Sequence, residues 1–155
     1  MSDRWVFLAA FLTSTFIVAS AFAKPQFFFF ELVKSAIFIT ICVMVFLGEN
    51  RYSYMLGIAF PLLWFLVDIL VGGLVSEFQV LFAYLAGRGV GPLGSPLDGF
   101  SRLGGIFLFI VSLAAWRKEA DEPFWGHTFW VSLTVSLIYV TAVALWSLRL
   151  FPLAG

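Results

Sequence analysis

Charge is what this chain has least of. Asp, Glu, Lys and Arg make up 12% of its 155 residues, against about a quarter in an ordinary soluble domain. Nine basic residues balance nine acidic ones, which excludes a polybasic nucleic-acid binder and gives no reason to expect an acidic ligand. Cysteine is nearly absent: Cys42 stands alone, so an internal disulfide and a four-cysteine metal site are both excluded. A single histidine, His127, excludes bis-histidine haem ligation within the chain. Also missing are a Gly-x-Gly-x-x-Gly fingerprint, a Walker A loop, His-Glu-x-x-His, Cys-x-x-Cys and a Gly-x-Ser-x-Gly elbow. Gly87, Gly89 and Gly91 alternate, but no Lys-Ser/Thr follows them. No internal repeat suggests an inverted-repeat transporter.

What is present is apolar. Hydrophobic residues are 62% of the chain, mean hydropathy is +1.03, and there are twenty phenylalanines. A 17.3 kDa soluble protein has too little interior to bury that much apolar surface. The composition predicts an all-α integral membrane protein, a bundle of about five transmembrane helices. A span needs about 20 apolar residues. The candidates are 5–23, 27–47, 53–75, 103–116 and 128–150, joined by an irregular connector over 76–102. Arg4 and the small-x-small run Ala21-Phe22-Ala23 also fit a signal peptide; the first segment is read here as a retained helix. Basic residues near the span ends divide four against four, so the positive-inside rule assigns no orientation.

The connector holds the most irregular sequence. From Gly87 to Gly105 lie seven of the thirteen glycines and two of the six prolines, a density that opposes regular helix. Before it, 76–87 is too short to cross a bilayer. It reads as an extension of the third helix, an interfacial helix or a re-entrant segment.

Three intramembrane charges are the leading site candidates: Glu31, Lys34 and Asp68. Each costs about 2.5–3.5 kcal/mol at a helix centre, so they are expected to face protein and find partners. Folding the second and third spans about Arg51 puts positions 34 and 68 at equal depth, which predicts a Lys34–Asp68 pair with Glu31 one turn away. Gly57, Pro61, Trp64, Asp68 and Gly72 recur at helical spacing and draw one stripe, with Pro61 expected to kink the helix. The cluster reads as a neutralised helix clip, as a proton or substrate site, or as a contact to a partner subunit. Its net charge of −1 leaves one carboxylate protonated or externally paired.

Asp98 and Arg102, at i and i+4, are expected to form a local pair. With His127 they form a further candidate site, in which His127 offers one axial ligand to a pigment or haem, or more simply a belt residue. Cys42 reads as an ordinary small apolar residue. Trp5, Trp116, Trp125, Trp130 and Trp146 fall near span ends, as interfacial anchors do. Ser132, Ser136 and Ser147 approximate a small-residue edge, either a helix-docking face or serines bonded to their own helix.

The function expected first is a small non-catalytic subunit of a larger membrane complex, scaffolding or sealing neighbouring helices, lipids or pigments. A small homo-oligomeric transporter or channel using Glu31, Lys34 and Asp68 comes second, and a lipid-modifying membrane enzyme third. Expected partners are membrane lipids and other transmembrane subunits, not nucleic acid.

Overall fold

The computed structural model of the chain describes residues 2–48, 50–71, 73–88 and 95–150. Among them there is helix and no strand: α1 (Ser2–Ala23), a 3-10 turn at Pro25–Phe27, α2 (Phe28–Leu47), α3 (Asn50–Val71), α4 (Gly73–Leu85), α5 (Pro96–Glu119) and α6 (His127–Leu150). Five of these helices, all but α4, are long and apolar enough to cross a membrane.

Local chemistry sets the boundaries. Pro25 has no amide to continue α1, and opens the 3-10 turn instead. Gly48 ends α2 in the left-handed region at φ +83°, where a glycine carries no Cβ penalty. Gly87, at φ +68°, closes α4 in the same way. The Arg88 amide bonds the Ala83 carbonyl and the Gly87 amide bonds that of Tyr84, a Schellman pattern. Ser95 caps α5, accepting from the Leu97 amide at 3.3 Å, with Pro96 in the first turn.

These boundaries correct the sequence reading in two places. The third helix is described to Val71 and helix runs again from Gly73 to Leu85, so most of 76–87 is helical rather than part of an irregular connector. The fourth span is Pro96–Glu119 rather than 103–116. It absorbs Asp98, Gly99, Arg102, Gly104 and Gly105, whose composition had argued against helix. Positions 89–94 and Gly72 lie outside the described residues.

Helices α1, α2, α3 and α5 form an antiparallel four-helix bundle in which α1 packs on α2 and α5, and α3 closes the ring against the same two. The outer helix α6 lies mainly on α3, and α4 packs on α5 and α3. Small residues permit the tight α1–α5 contact: a Cβ on Gly104 would lie 2.4 Å from Thr13 Oγ1. The core is apolar and aromatic, with Ile17, Phe38, Ile41, Met55, Phe60 and Leu108 buried in one cluster. Outward faces are apolar as well, including Phe29, Phe46, Leu70 and Ile138.

Several aromatic expectations are resolved individually. Trp5, Trp125, Trp130 and Trp146 are exposed, but Trp116 is buried, edge-on to Phe124 at 6.4 Å. Of the Phe27–Phe30 run, Phe29 faces outward and Phe30 packs against Trp146.

Candidate functional site

The bundle has a near end, where α1 begins, and a far end, where it finishes. Most of the buried charge lies toward the far end. Alternating helix directions bring the end of α1, the start of α2, the end of α3, α4 and the start of α5 together there.

Arg102 is the centre of this cluster. Its guanidinium donates from Nε and Nη2 to both carboxylate oxygens of Glu77, the second at 3.0 Å. Its Nη1 lies 2.7 Å from Asp68 Oδ2. One side chain from α5 thus ties down α3 and α4 together, in the two-pronged geometry that suits arginine to carboxylates. Beside it, Asp98 receives Ser20 Oγ at 2.6 Å and pairs with Lys24, linking α5 to the end of α1. Lys34 pairs with Glu31 at 2.8 Å within α2. The Trp64 ring stands between the two cationic groups, 5.8 Å from Lys34 Nζ and 5.5 Å from the Arg102 guanidinium carbon.

The expected Lys34–Asp68 pair is therefore replaced by Lys34–Glu31 and Arg102–Asp68. The physical reason is the position of the turn. The chain reverses at Gly48, and Arg51 already lies in the first turn of α3. That places Lys34 level with Trp64, about one helical turn (about 6 Å) from the level of Asp68. The expected Asp98–Arg102 pair also gives way, because each residue is taken by a charge from another helix. His127 opens α6 at the near end and is exposed, so it shares no site with Asp98 and Arg102 at the opposite end.

The α3 stripe turns inward. Gly57 abuts Ser112 of α5, Asp68 reaches Arg102, and Pro61 and Trp64 line a cavity on the bundle axis. All four bundle helices contribute to that cavity, through Ile17, Lys34, Phe60, Arg102 and others, and its volume is about 20 Å³. A polar void of that size holds about one water. Lys34 has three donors and one carboxylate partner, so the cavity is polar on the Lys34 side.

At the near end, the Tyr54 hydroxyl contacts the Asp3 carboxylate and lies 2.7 Å from Glu119 Oε2, joining α1, α3 and α5. Arg51 pairs with Glu122 at 3.2 Å, and Glu122 accepts from Thr128 at 2.7 Å. Ser132 and Ser136 are buried, but their hydroxyls have no hydrogen-bond partner among the described residues, so neither bonds back to its own helix. The Ser147 side chain lies outside what is described. Cys42 is half-buried, its Sγ 3.7 Å from the Phe7 carbonyl.

Sequence reading missed Lys24, Glu77 and Tyr54 as members of these clusters. Glu77 did carry a signal: Gly73, Glu77 and Leu81 recur every fourth residue, the spacing of one helix face. Lys24 and Asp98 are 74 positions apart, and only the fold brings them together. Among the described residues, no group of three His, Cys, Asp or Glu is placed to hold a metal ion. No family model, curated protein or solved structure matches the chain.

Proposed function

We propose that this chain is a multi-pass integral membrane protein acting as a small non-catalytic subunit of a larger membrane complex. Its work in this reading is to hold neighbouring transmembrane helices and lipid in place. The membrane part rests on inverted burial. Phe46 and Leu70 are 84% and 86% exposed, while Asp68, Asp98, Arg102 and Glu31 are all below 10%. Such a surface suits hydrocarbon and would aggregate in water.

The observation that carries the scaffolding part is the closed state of the far-end cluster. Every cation in it is bound to a carboxylate of the same chain, and the axial cavity beside it has room for about one water. Five of these ion-paired residues (Lys24, Asp98, Arg102, Asp68 and Glu77) have partners outside their own helix, so in this reading the charges serve to join helices. The same cavity, lined by Lys34 and Arg102, is what favours the second reading, a small transporter or channel.

Native mass after gentle extraction from the source membrane separates the two. A particle far larger than a few 17.3 kDa chains, with fixed co-purifying subunits, is the expected result. A particle of one to a few copies of this chain alone would overturn the subunit reading. Flux through Glu31→Gln/Lys34→Met vesicles would then become the deciding assay for transport.

A further inference from the structure

The far-end cluster does not balance. Lys24 and Asp98 match one to one, and so do Lys34 and Glu31. What remains is Arg102 between two carboxylates, Asp68 on α3 and Glu77 on α4. Arginine does not give up its proton in proteins, so among the described residues the group carries one negative charge in excess. Arg88, the described cation nearest in sequence to α4's end, is exposed and enters no ion pair among the described residues. An unmatched charge at this depth is costly, and a carboxylate relieves the cost most simply by taking a proton.

A second observation selects which carboxylate. Both Glu77 oxygens accept directed guanidinium hydrogen bonds, the arrangement that best stabilises an ionised carboxylate. Asp68 has neither. Its Oδ2 is fully buried and close to Arg102 Nη1, yet no hydrogen bond is directed at it. The residue as a whole is only 9% exposed. Its Oδ1 faces the α3–α4 junction at Gly73. The charged groups acting on it are Arg102 of α5, Glu77 of α4 and Lys34 of α2. From α1, Ser20 and Lys24 are engaged by Asp98.

We infer that Asp68 is a proton-binding site, and that its occupancy governs how firmly Arg102 holds Glu77 and therefore α4. With the proton on, Arg102 serves Glu77 alone and α4 stays fastened to α5. With the proton lost to solvent, two full negative charges compete for one guanidinium, and the hold on α4 weakens. A cation supplied by a partner subunit would satisfy the same excess charge without a proton, and the infrared band of a protonated carboxyl group would then be absent.

Infrared spectroscopy of the full chain in lipid nanodiscs tests the site directly through the C=O stretch of a protonated carboxyl group. The wild-type protein should show this band at mildly acidic pH and lose it as the pH rises. Asp68→Asn should abolish it by removing the carboxyl. Glu77→Gln should abolish it too, because one carboxylate per guanidinium leaves no excess charge. Glu119→Gln at the near end should leave it unchanged. Absence of the band in the wild type, or its survival in either far-end variant, would overturn the assignment. The hold on α4 is read at buried Leu81. In a Cys42→Ser background, maleimide labelling of Leu81→Cys is compared with and without Asp68→Asn at each pH. The ratio should depart from one as the infrared band disappears, with the Asp68→Asn protein the slower. A ratio that stays flat would remove the coupling to α4.

Discussion

Gly57 and Ser112 touch across the α3–α5 contact: a Cβ placed on Gly57 would lie 2.3 Å from Ser112 Oγ and 3.1 Å from its Cβ. The hydroxyl can rotate away, but the Cβ is fixed to the α5 backbone. The contact is also where α3 is weakest, because Pro61 supplies no amide for the Gly57 carbonyl one turn earlier. Gly57→Ala should therefore destabilise the bundle by about 1–3 kcal/mol through overpacking. Adding Ser112→Gly should recover most of that loss, although the glycine alone costs about 1 kcal/mol in a helix. Thermal unfolding of the two single variants and the double variant in one detergent measures the coupling. Simple additivity would show that the two residues do not share the space.

Helix α4 is seated by a similar contact. A Cβ on Gly99 would fall 2.7 Å from Leu81 Cβ and 3.0 Å from its Cδ2, while Glu77 one turn back holds Arg102. Gly99→Ala should lift Leu81 and raise amide exchange in α4 several-fold, while α1 and α2 keep their protection. Hydrogen exchange read peptide by peptide decides it. Equal loosening throughout the chain would mean that α4 is not a separately releasable element.

Hydropathy alone located the five long helices, since runs of apolar residues carry that signal locally. It under-read α5 because Asp98, Gly99, Arg102, Gly104 and Gly105 all argue against helix when considered in isolation. In the fold each has a tertiary purpose. The charges are matched by Lys24, Asp68 and Glu77, and Gly99 and Gly104 admit Leu81 and Thr13. Local propensity was overridden by packing. Depth matching also failed for a local reason: the left-handed turn at Gly48 is tighter than a loop centred on Arg51, and shifting a hairpin's centre slides every facing pair. That charged residues of the second and third spans would face protein was legible from the cost of exposing them to lipid. Which partner each would take depended on contacts between residues far apart in the chain, which periodicity does not encode.

The Glu31–Lys34 pair predicts an asymmetry between single and double substitutions. Their side chains are 7% and 14% exposed, so removing one partner strands a nearly desolvated charge. Lys34→Met alone should cost about 3–5 kcal/mol, while Glu31→Gln with Lys34→Met should come close to the wild type. Melting temperature and yield of folded protein after extraction report the difference. If the double variant is as damaged as Lys34→Met, then Lys34 contributes through the axial cavity and the ring of Trp64 rather than through Glu31.

The start of α6 should be sensitive to acid. Glu122, in the loop before α6, accepts a hydrogen bond from Thr128 and pairs with Arg51. The Thr128 hydrogen bond first, with Arg51 adding to it, holds the Glu122 carboxyl below its ordinary range. A depressed carboxylate stabilises the folded arrangement above its unfolded pKa and loses that contribution as pH falls through the folded one. Protection of the first α6 amides should therefore be full at neutral pH and decline only below the usual carboxylate range. Thr128→Val should lower the protection at neutral pH and shift the remaining decline upward toward the ordinary glutamate range. Hydrogen exchange of the His127–Ser132 segment at a series of acidic pH values, corrected for intrinsic rates, measures both. An identical pH profile in the wild-type and Thr128→Val proteins would show that Glu122 does not hold this end of α6.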